Sequence, residues 1–431
     1  MIRGVFVFLH RWVGLLMTVF LVIVGVTGSL LAFNNELEHV FAPQLFAEPR
    51  PGEAQLDMAT LAERAATLVP PHTRVTSVDL GARVIPVKMP PDQATIRFRA
   101  ETNPETGKPY ELGKPYEKGW GQFYVDPWTG AALGRPMSSD LSEGLINFMP
   151  FIYRLHYALA LGSTGATILG IVAVAWTIDC FVGFYLTLPI SLSGFWRKWK
   201  TAWLIKRKGG FFRLNLDLHR ASGLWLWPVL FIFAWSSVGF NMRVVYDWAM
   251  TPLFEHGSPN GVKMIEHMKL PVKERHALDW RAAQAVGAKL IEEQGARQGF
   301  VVGEAWGLSY SEKGGSYHYM IHSGDPFFSP HCAASVDFDA DTGDLLNVRS
   351  PAAAAPLGNE IRSWLFALHM AHVFGMPFRI LVCALGLVIT VLAATGVYIW
   401  WKKRNARIAQ TLRAQTGAAR PGRVEAAHTT I

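Results

Sequence analysis

"FLHRWVGL", Phe8 to Leu15, sets a histidine and an arginine directly before a long apolar run. About twenty such residues are enough to cross a ~30 Å hydrocarbon core. The arrangement returns as "LHRASGL", Leu218 to Leu224, again at the head of an apolar run. With two further runs, four spans are expected near Trp12 to Phe33, Thr167 to Ile190, Leu224 to Met242 and Phe378 to Trp401. Half of the 431 residues are hydrophobic and only 17% are charged, a balance that excludes an ordinary soluble protein. The first run is longer than the apolar core of a secretory signal peptide and no A-x-A site precedes the polar "NNELEH", so it is expected to be retained as a span.

Basic residues orient the spans, because Lys and Arg are held on the cytoplasmic side. Arg197, Lys198, Lys200, Lys206, Arg207, Lys208, Arg213 and Arg220 face a single acid, Asp217, between the second and third spans. Seven basic residues follow Trp401 against Glu425 alone. The loops 34–155 and 244–368 each hold 15 acids against 12 and 10 basic residues, and are expected outside. The predicted order is a span at 1–34 with a cytoplasmic N-terminus, an exported domain at 35–150, a span at 151–190 and a basic cytoplasmic loop at 191–218. A span at 219–243, an exported domain at 244–364, a span at 365–402 and a basic cytoplasmic tail at 403–431 complete it. The net charge of +8 is thus a topology signal and implies no nucleic acid.

The chain reads as one unit written twice. Besides the two LHR-x-x-G segments, "FYVDPWTGAAL" at 123–133 pairs with "SVDFDADTGDLL" at 335–346, sharing D-x-x-T-G. "RLHYALALG" at 154–162 pairs with "ALHMAHVFG" at 367–375. Helical periodicity over Asp57 to Leu68 and Asp279 to Glu293, strand alternation in "ATIRFRA" and "YHYMIH", and D-x-x-T-G turn chemistry predict a small α+β domain in each exported loop. The fold class is therefore an α-helical membrane protein, a bundle of four transmembrane helices, with two exported α+β domains made by internal duplication. The stretch 103–121, rich in Gly, Pro and Lys, is expected to be a hairpin excursion or mobile loop. Only three cysteines exist, Cys180, Cys332 and Cys383, which gives no disulfide framework, and no C-x-x-C-H is present for covalent haem attachment.

The duplication pairs histidines at shared depths. His10 and His219 each open a span on the cytoplasmic side, and His156 and His369 each precede one on the outer side. Neutral imidazoles from facing helices are natural axial ligands for haem iron, two to a site. A lone interfacial histidine is otherwise a head-group anchor. Gly14 and Gly223, one helical turn from their histidines, leave room for a flat macrocycle. Arg11 and Arg220 fit either haem propionates or a plain positive-inside role. Arg379 fits an interfacial anchor or a propionate partner. His372, on the same helical face as His369, suits a propionate, a substitute ligand or the substrate side. Gly162 to Gly165 and Gly375 to Pro377 are expected to loosen the helices after the outer histidines. Asp179, an acid well inside a span, suits proton acceptance from a quinol or docking of a flavin or quinone; it equally suits a bond to a neighbouring helix. His318, Met320 and His322 lie on one face of a predicted strand, with His331 and Cys332 nearby. That face holds soft metal ligands, or is a solvated or dimer-facing strand.

Together, "LHRWVGL", "VDPWTGAAL", "LHYALALG", "LHRASGL" and "LHMAHVFG" in this order resemble the PepSY-associated transmembrane family, and within it the siderophore-iron reductases. The resemblance covers about residues 1–405. It implies four membrane helices, two periplasmic PepSY-like domains and two non-covalent haem b groups, with His10 and His219 at a cytoplasmic-side haem and His156 and His369 at a periplasmic-side haem. It implies an oxidoreductase of the bacterial inner membrane that passes electrons outward to a periplasmic Fe(III)-siderophore or other ferric chelate and releases Fe(II) for uptake. Relatives with a flavin-reductase module differ, since the longest cytoplasmic segment here holds no G-x-G-x-x-G; a separate cytoplasmic or quinol donor is expected. The alternatives are a non-enzymatic PepSY protein that binds a periplasmic partner, with spans as lipid anchors, and an iron-chelate transport component.

Overall fold

The computed structural model describes residues 2–80, 92–113, 119–135, 140–206, 210–255, 272–324, 333–351 and 356–418, with side chains to 413. His331 and Cys332 lie outside them. Among these residues the chain forms helices α1 (Ile2–Leu31), α2 (Asn34–Phe41), α3 (Met58–Ala65), α4 (Phe148–Ala158), α5 (Gly162–Thr187), α6 (Phe195–Lys200), α7 (Gly210–Trp225), α8 (Trp227–Asn241), α9 (Arg243–Met250), α10 (Trp280–Gln298), α11 (Leu357–His369) and α12 (Gly375–Ala418). Two compact units result: Met1–Val26, Ile171–Ala234 and Leu387–Ile431 make one, and Thr27–Gly170 with Trp235–Gly386 the other.

Among the described residues, three helices are long and apolar enough to cross a membrane: Ile2–Leu31, Gly162–Thr187 and Gly375–Arg413. A fourth span exists if α7 and α8 are one, for they meet at a 69° bend. Pro228 explains the bend: at the second position of α8 it has no N–H to return to Leu224 and its ring crowds that carbonyl. The span expected at 219–243 is thus met by two helices joined at this bend. The loosening expected just after the outer histidines is present too: Leu159 and Ala160 take left-handed φ of 50° and 56° and part α4 from α5. Ala371 and Phe374, at 54° and 60°, part α11 from α12 in the same way. Past Trp401, α12 continues to Ala418, so the first part of the basic tail is helix.

In the first unit, Leu21 of α1, Trp176 and Cys180 of α5, Leu230 and Ala234 of α8, and Ile389 and Leu392 of α12 form one apolar cluster. Trp227 Nε1 donates to the Cys180 carbonyl at 2.9 Å, which ties α8 to α5. Arg3 caps α5 by donating to the Leu186 and Leu188 carbonyls at 2.7 and 3.1 Å, a fitting place for a cation at a helix C-terminus.

The second unit holds an eight-stranded antiparallel sheet in the order β4-β3-β2-β1-β5-β6-β7-β8. Its strands are β1 (Thr73–Leu80), β2 (Ala94–Ala100), β3 (Trp120–Val125), β4 (Ala132–Gly134), β5 (Ala305–Ser311), β6 (Ser316–His322), β7 (Ala333–Asp339) and β8 (Leu345–Arg349). Each of the two long loops supplies four strands and a helix, and the halves join where Ser77, Val78 and Asp79 pair with Ser309, Leu308 and Gly307. The duplication reaches the register: a bulge interrupts β1 at Val75/Ser77 and β5 at Ala305/Gly307. One core runs across the seam, with Val78, Ile96, Leu308, Ile321, Val336 and Phe338 all fully buried. Helices α3 and α10 cover it and touch each other, Ala59 N donating to Gln284 Oε1 at 2.8 Å.

The two D-x-x-T-G turns are the same device. Asp126 Oδ1 accepts from Trp128 N and Thr129 N at 2.7 and 3.2 Å, and Asp339 Oδ1 from Asp341 N and Thr342 N at 2.8 and 3.0 Å. Gly130 and Gly343 then take φ of 69° and 78°, the left-handed region that a side chain disfavours.

Candidate functional site: two histidine pairs

In the first unit His10 and His219 face each other with ring centroids 6.2 Å apart. In the second, His156 and His369 do so at 6.3 Å. Two imidazoles bound through nitrogen to one metal at about 2 Å, each ring centre about 1.2 Å behind its nitrogen, stand about 6.4 Å apart. The rings of both pairs meet edge to face, at interplanar angles of 61° and 70°, and the duplication repeats one spacing in two places.

Every ring is held at Nδ1. His10 Nδ1 lies 2.9 and 3.1 Å from the Asp179 carboxylate oxygens. His219 Nδ1 lies 3.1 Å from the Leu392 carbonyl and 3.2 Å from Thr395 Oγ1. His156 Nδ1 meets Thr27 Oγ1 at 3.0 Å, and His369 Nδ1 meets Ser236 Oγ at 2.7 Å. A carboxylate or carbonyl only accepts, so at His10 and His219 the proton sits on Nδ1 and the lone pair on Nε2. Hydroxyls can impose the same tautomer. Such outer partners orient metal-ligating imidazoles.

Glycines bring the backbone close to three of the rings. A Cβ on Gly183 would stand 3.5 Å from His10 Cε1, one on Gly396 3.3 Å from His219 Cε1, and one on Gly28 3.0 Å from His156 Cε1. By contrast, a Cβ on Gly14 or Gly223 would meet nothing within 4 Å, so the space expected one turn from His10 and His219 is open.

The cations differ in commitment. Arg11 lies over the Phe8 and Trp12 rings at 5.6 and 5.5 Å, and its buried Nε has no hydrogen-bond partner among the described residues. Arg220 Nη2 donates to the Thr201 carbonyl at 2.8 Å and to Asp217 Oδ1 at 2.9 Å, while its buried Nε is likewise orphaned. Arg379 spends its fork on Glu36, at 2.8 and 2.6 Å, and its Nε on the Ala32 carbonyl at 2.9 Å, the arrangement of an interfacial anchor. His372 has a buried, unpartnered Nδ1.

On β6, His318, Met320 and His322 do share the face away from the core. His318 Nδ1 bonds Asp337 across the strand pair, and His322 lies beside Trp306 at 6.1 Å. Among the described residues no three or more of His, Cys, Asp and Glu gather as a metal site. A bis-imidazole haem needs only two protein ligands, which the paired rings, their Nδ1 anchors, the open space and the orphaned Arg11 and Arg220 nitrogens fit.

Thr27, Ser236, Gly183 and Gly396 escape a search for motifs, yet the duplication marks them. Thr27 follows His10 by the same seventeen residues as Ser236 follows His219. Gly183 and Gly396 each follow an outer-pair histidine, His156 and His369, by twenty-seven. Asp179 was visible as an intramembrane acid, but its partner, His10, was not.

No curated protein matches this chain. A family model described as the PepSY-associated TM region matches residues 7–403, a stretch that contains both histidine pairs and the sheet. The chain is a multi-pass membrane protein that belongs to the PepSY-associated TM region family.

Proposed function

We propose that this is a di-haem b electron-transfer protein of the bacterial inner membrane, which reduces a ferric chelate, in first place an Fe(III)-siderophore, at its exported face. One observation carries the proposal: two histidine pairs, one in each unit, share a ring separation of 6.2 and 6.3 Å that suits one metal atom between two imidazoles. His10 and His219 would hold a cytoplasmic-side haem, and His156 and His369 a periplasmic-side haem. Bound haem supplies one-electron transfer with little ligand rearrangement.

The chain's own groups do the rest. Asp179, Leu392 and Thr395 fix the rings of the first pair, and Thr27 and Ser236 those of the second. Arg11 and Arg220 offer unpaired N–H donors to propionates, while Gly14 and Gly223 keep a flat space clear. Electrons would come from a quinol or a separate cytoplasmic reductase, and the acceptor is substrate: one electron converts Fe(III) to Fe(II), which hard oxygen chelators hold far less tightly. The basic loop after α5 and the basic end of α12 support a cytoplasmic placement of those segments.

Purification of the full chain in detergent, followed by pyridine haemochrome quantitation, tests this. Two haem b per chain are expected, with one lost in His219→Ala and the other in His369→Ala. Haem-free protein from haem-replete cells would end the proposal.

A further inference from the structure

We infer that Asp179 holds the redox potential of the His10/His219 site below that of the His156/His369 site, which makes outward electron flow downhill; this rests on the di-haem reading. The duplication supplies the comparison. Asp179 follows His156 by twenty-three residues, and Leu392 follows His369 by the same count, so the two occupy one position of the repeat. In the second copy that position holds His219 through a backbone carbonyl at 3.1 Å. In the first copy a carboxylate side chain has replaced that neutral acceptor and meets His10 Nδ1 through both oxygens, at 2.9 and 3.1 Å. The other pair is held by two neutral hydroxyls, Thr27 and Ser236. Of these five groups, Thr395 included, Asp179 is the one that carries charge, and its side chain is only 12% exposed.

A carboxylate inside a span is costly, and a carbonyl or hydroxyl would orient the ring equally well, as at the other three histidines. What only the carboxylate adds is negative charge along the Nδ1–H bond. It draws the proton away from the ring, makes Nε2 a stronger donor and favours ferric over ferrous iron, which lowers the potential. Asp179 is thus a positioning residue that also tunes, acting through His10.

Spectroelectrochemical titration of the purified, haem-loaded full chain tests this. The unaltered protein should show two midpoints, and His369→Ala, which keeps only the first site, should retain the lower one. Asp179→Asn keeps an acceptor oxygen but removes the charge; the lower midpoint should rise toward the upper one, which stays in place. Asp179→Glu should keep it low. Should Asp179→Asn lose its haem, Thr27→Asp supplies the converse: a carboxylate against His156 should pull the upper midpoint down. The inference is overturned if Asp179→Asn moves neither midpoint or only the upper one, if Thr27→Asp moves nothing, or if the first site has the higher potential. Haem-free protein would instead overturn the di-haem reading itself, so the two failures are distinct.

Discussion

Each of the four paired histidines is tied at Nδ1 by a group from a different helix, and this is what separates them from the anchoring histidines common at membrane surfaces. The pairs themselves were legible in the sequence, since a repeat that places His10 against His219 and His156 against His369 asks what they share. Their anchors were not, because a threonine or serine in a span has no signature until the helix facing it is known. Gly14 and Gly223 offer a test at this scale. Alanine at either position meets no atom of the described residues within 4 Å beyond its own helical turn, and alanine is the better helix former by about 1 kcal/mol. Gly14→Ala and Gly223→Ala should therefore leave helix content by circular dichroism unchanged while haem per chain falls, the loss confined to the first site. Full haem in both variants would mean that the space is not where the macrocycle lies.

Among the elements, α3 and α10 begin on the same cap. Asp57 accepts from Thr60 N at 2.9 Å, and Asp279 from Ala282 N at 2.8 Å. Asp279→Ala should cost about 1 kcal/mol, visible as a lowered midpoint in thermal unfolding of the sheet-bearing unit. Helix α2 carries a pH-dependent contact. His39 Nδ1 donates to the Asn35 carbonyl at 2.8 Å and Nε2 to Asp92 at 3.0 Å, which only the imidazolium can do at once. Burial pulls its pKa down, but the Asp92 and Asn35 bonds outweigh it and hold the pKa above 6.5. The contact stabilises fully below the unfolded value of 6.5 and is lost as pH rises through the higher folded value. The melting temperature of the sheet-bearing unit should fall across that window in the natural protein and not in Asp92→Asn. Strands β2 and β6 and both D-x-x-T-G turns were readable from local pattern. The breaks at Leu159 and Ala371 were expected only nearby, at the following glycines, because nothing in a leucine or alanine announces a left-handed backbone; the turn imposes it.

For the whole molecule, the two long loops read as two small domains in the sequence, and the structure joins them in one sheet. Period-two alternation marks a strand but says nothing about which edge it offers, so the seam between β1 and β5 has no local signal. The join has a consequence for stability. Leu308 is fully buried at the seam, and Leu308→Ala should cost about 2–5 kcal/mol. Because one core serves both halves, amide exchange should quicken together in Ala94–Ala100 and Ser316–His322; an effect confined to the second half would show that the halves fold independently. The most direct measurement is of the histidine pairs that organise both units. Pyridine haemochrome assay of the purified chain should give two haem b, and of the variant with His10, His156, His219 and His369 all changed to alanine, none. Equal haem in both proteins, or none in either, would contradict the account.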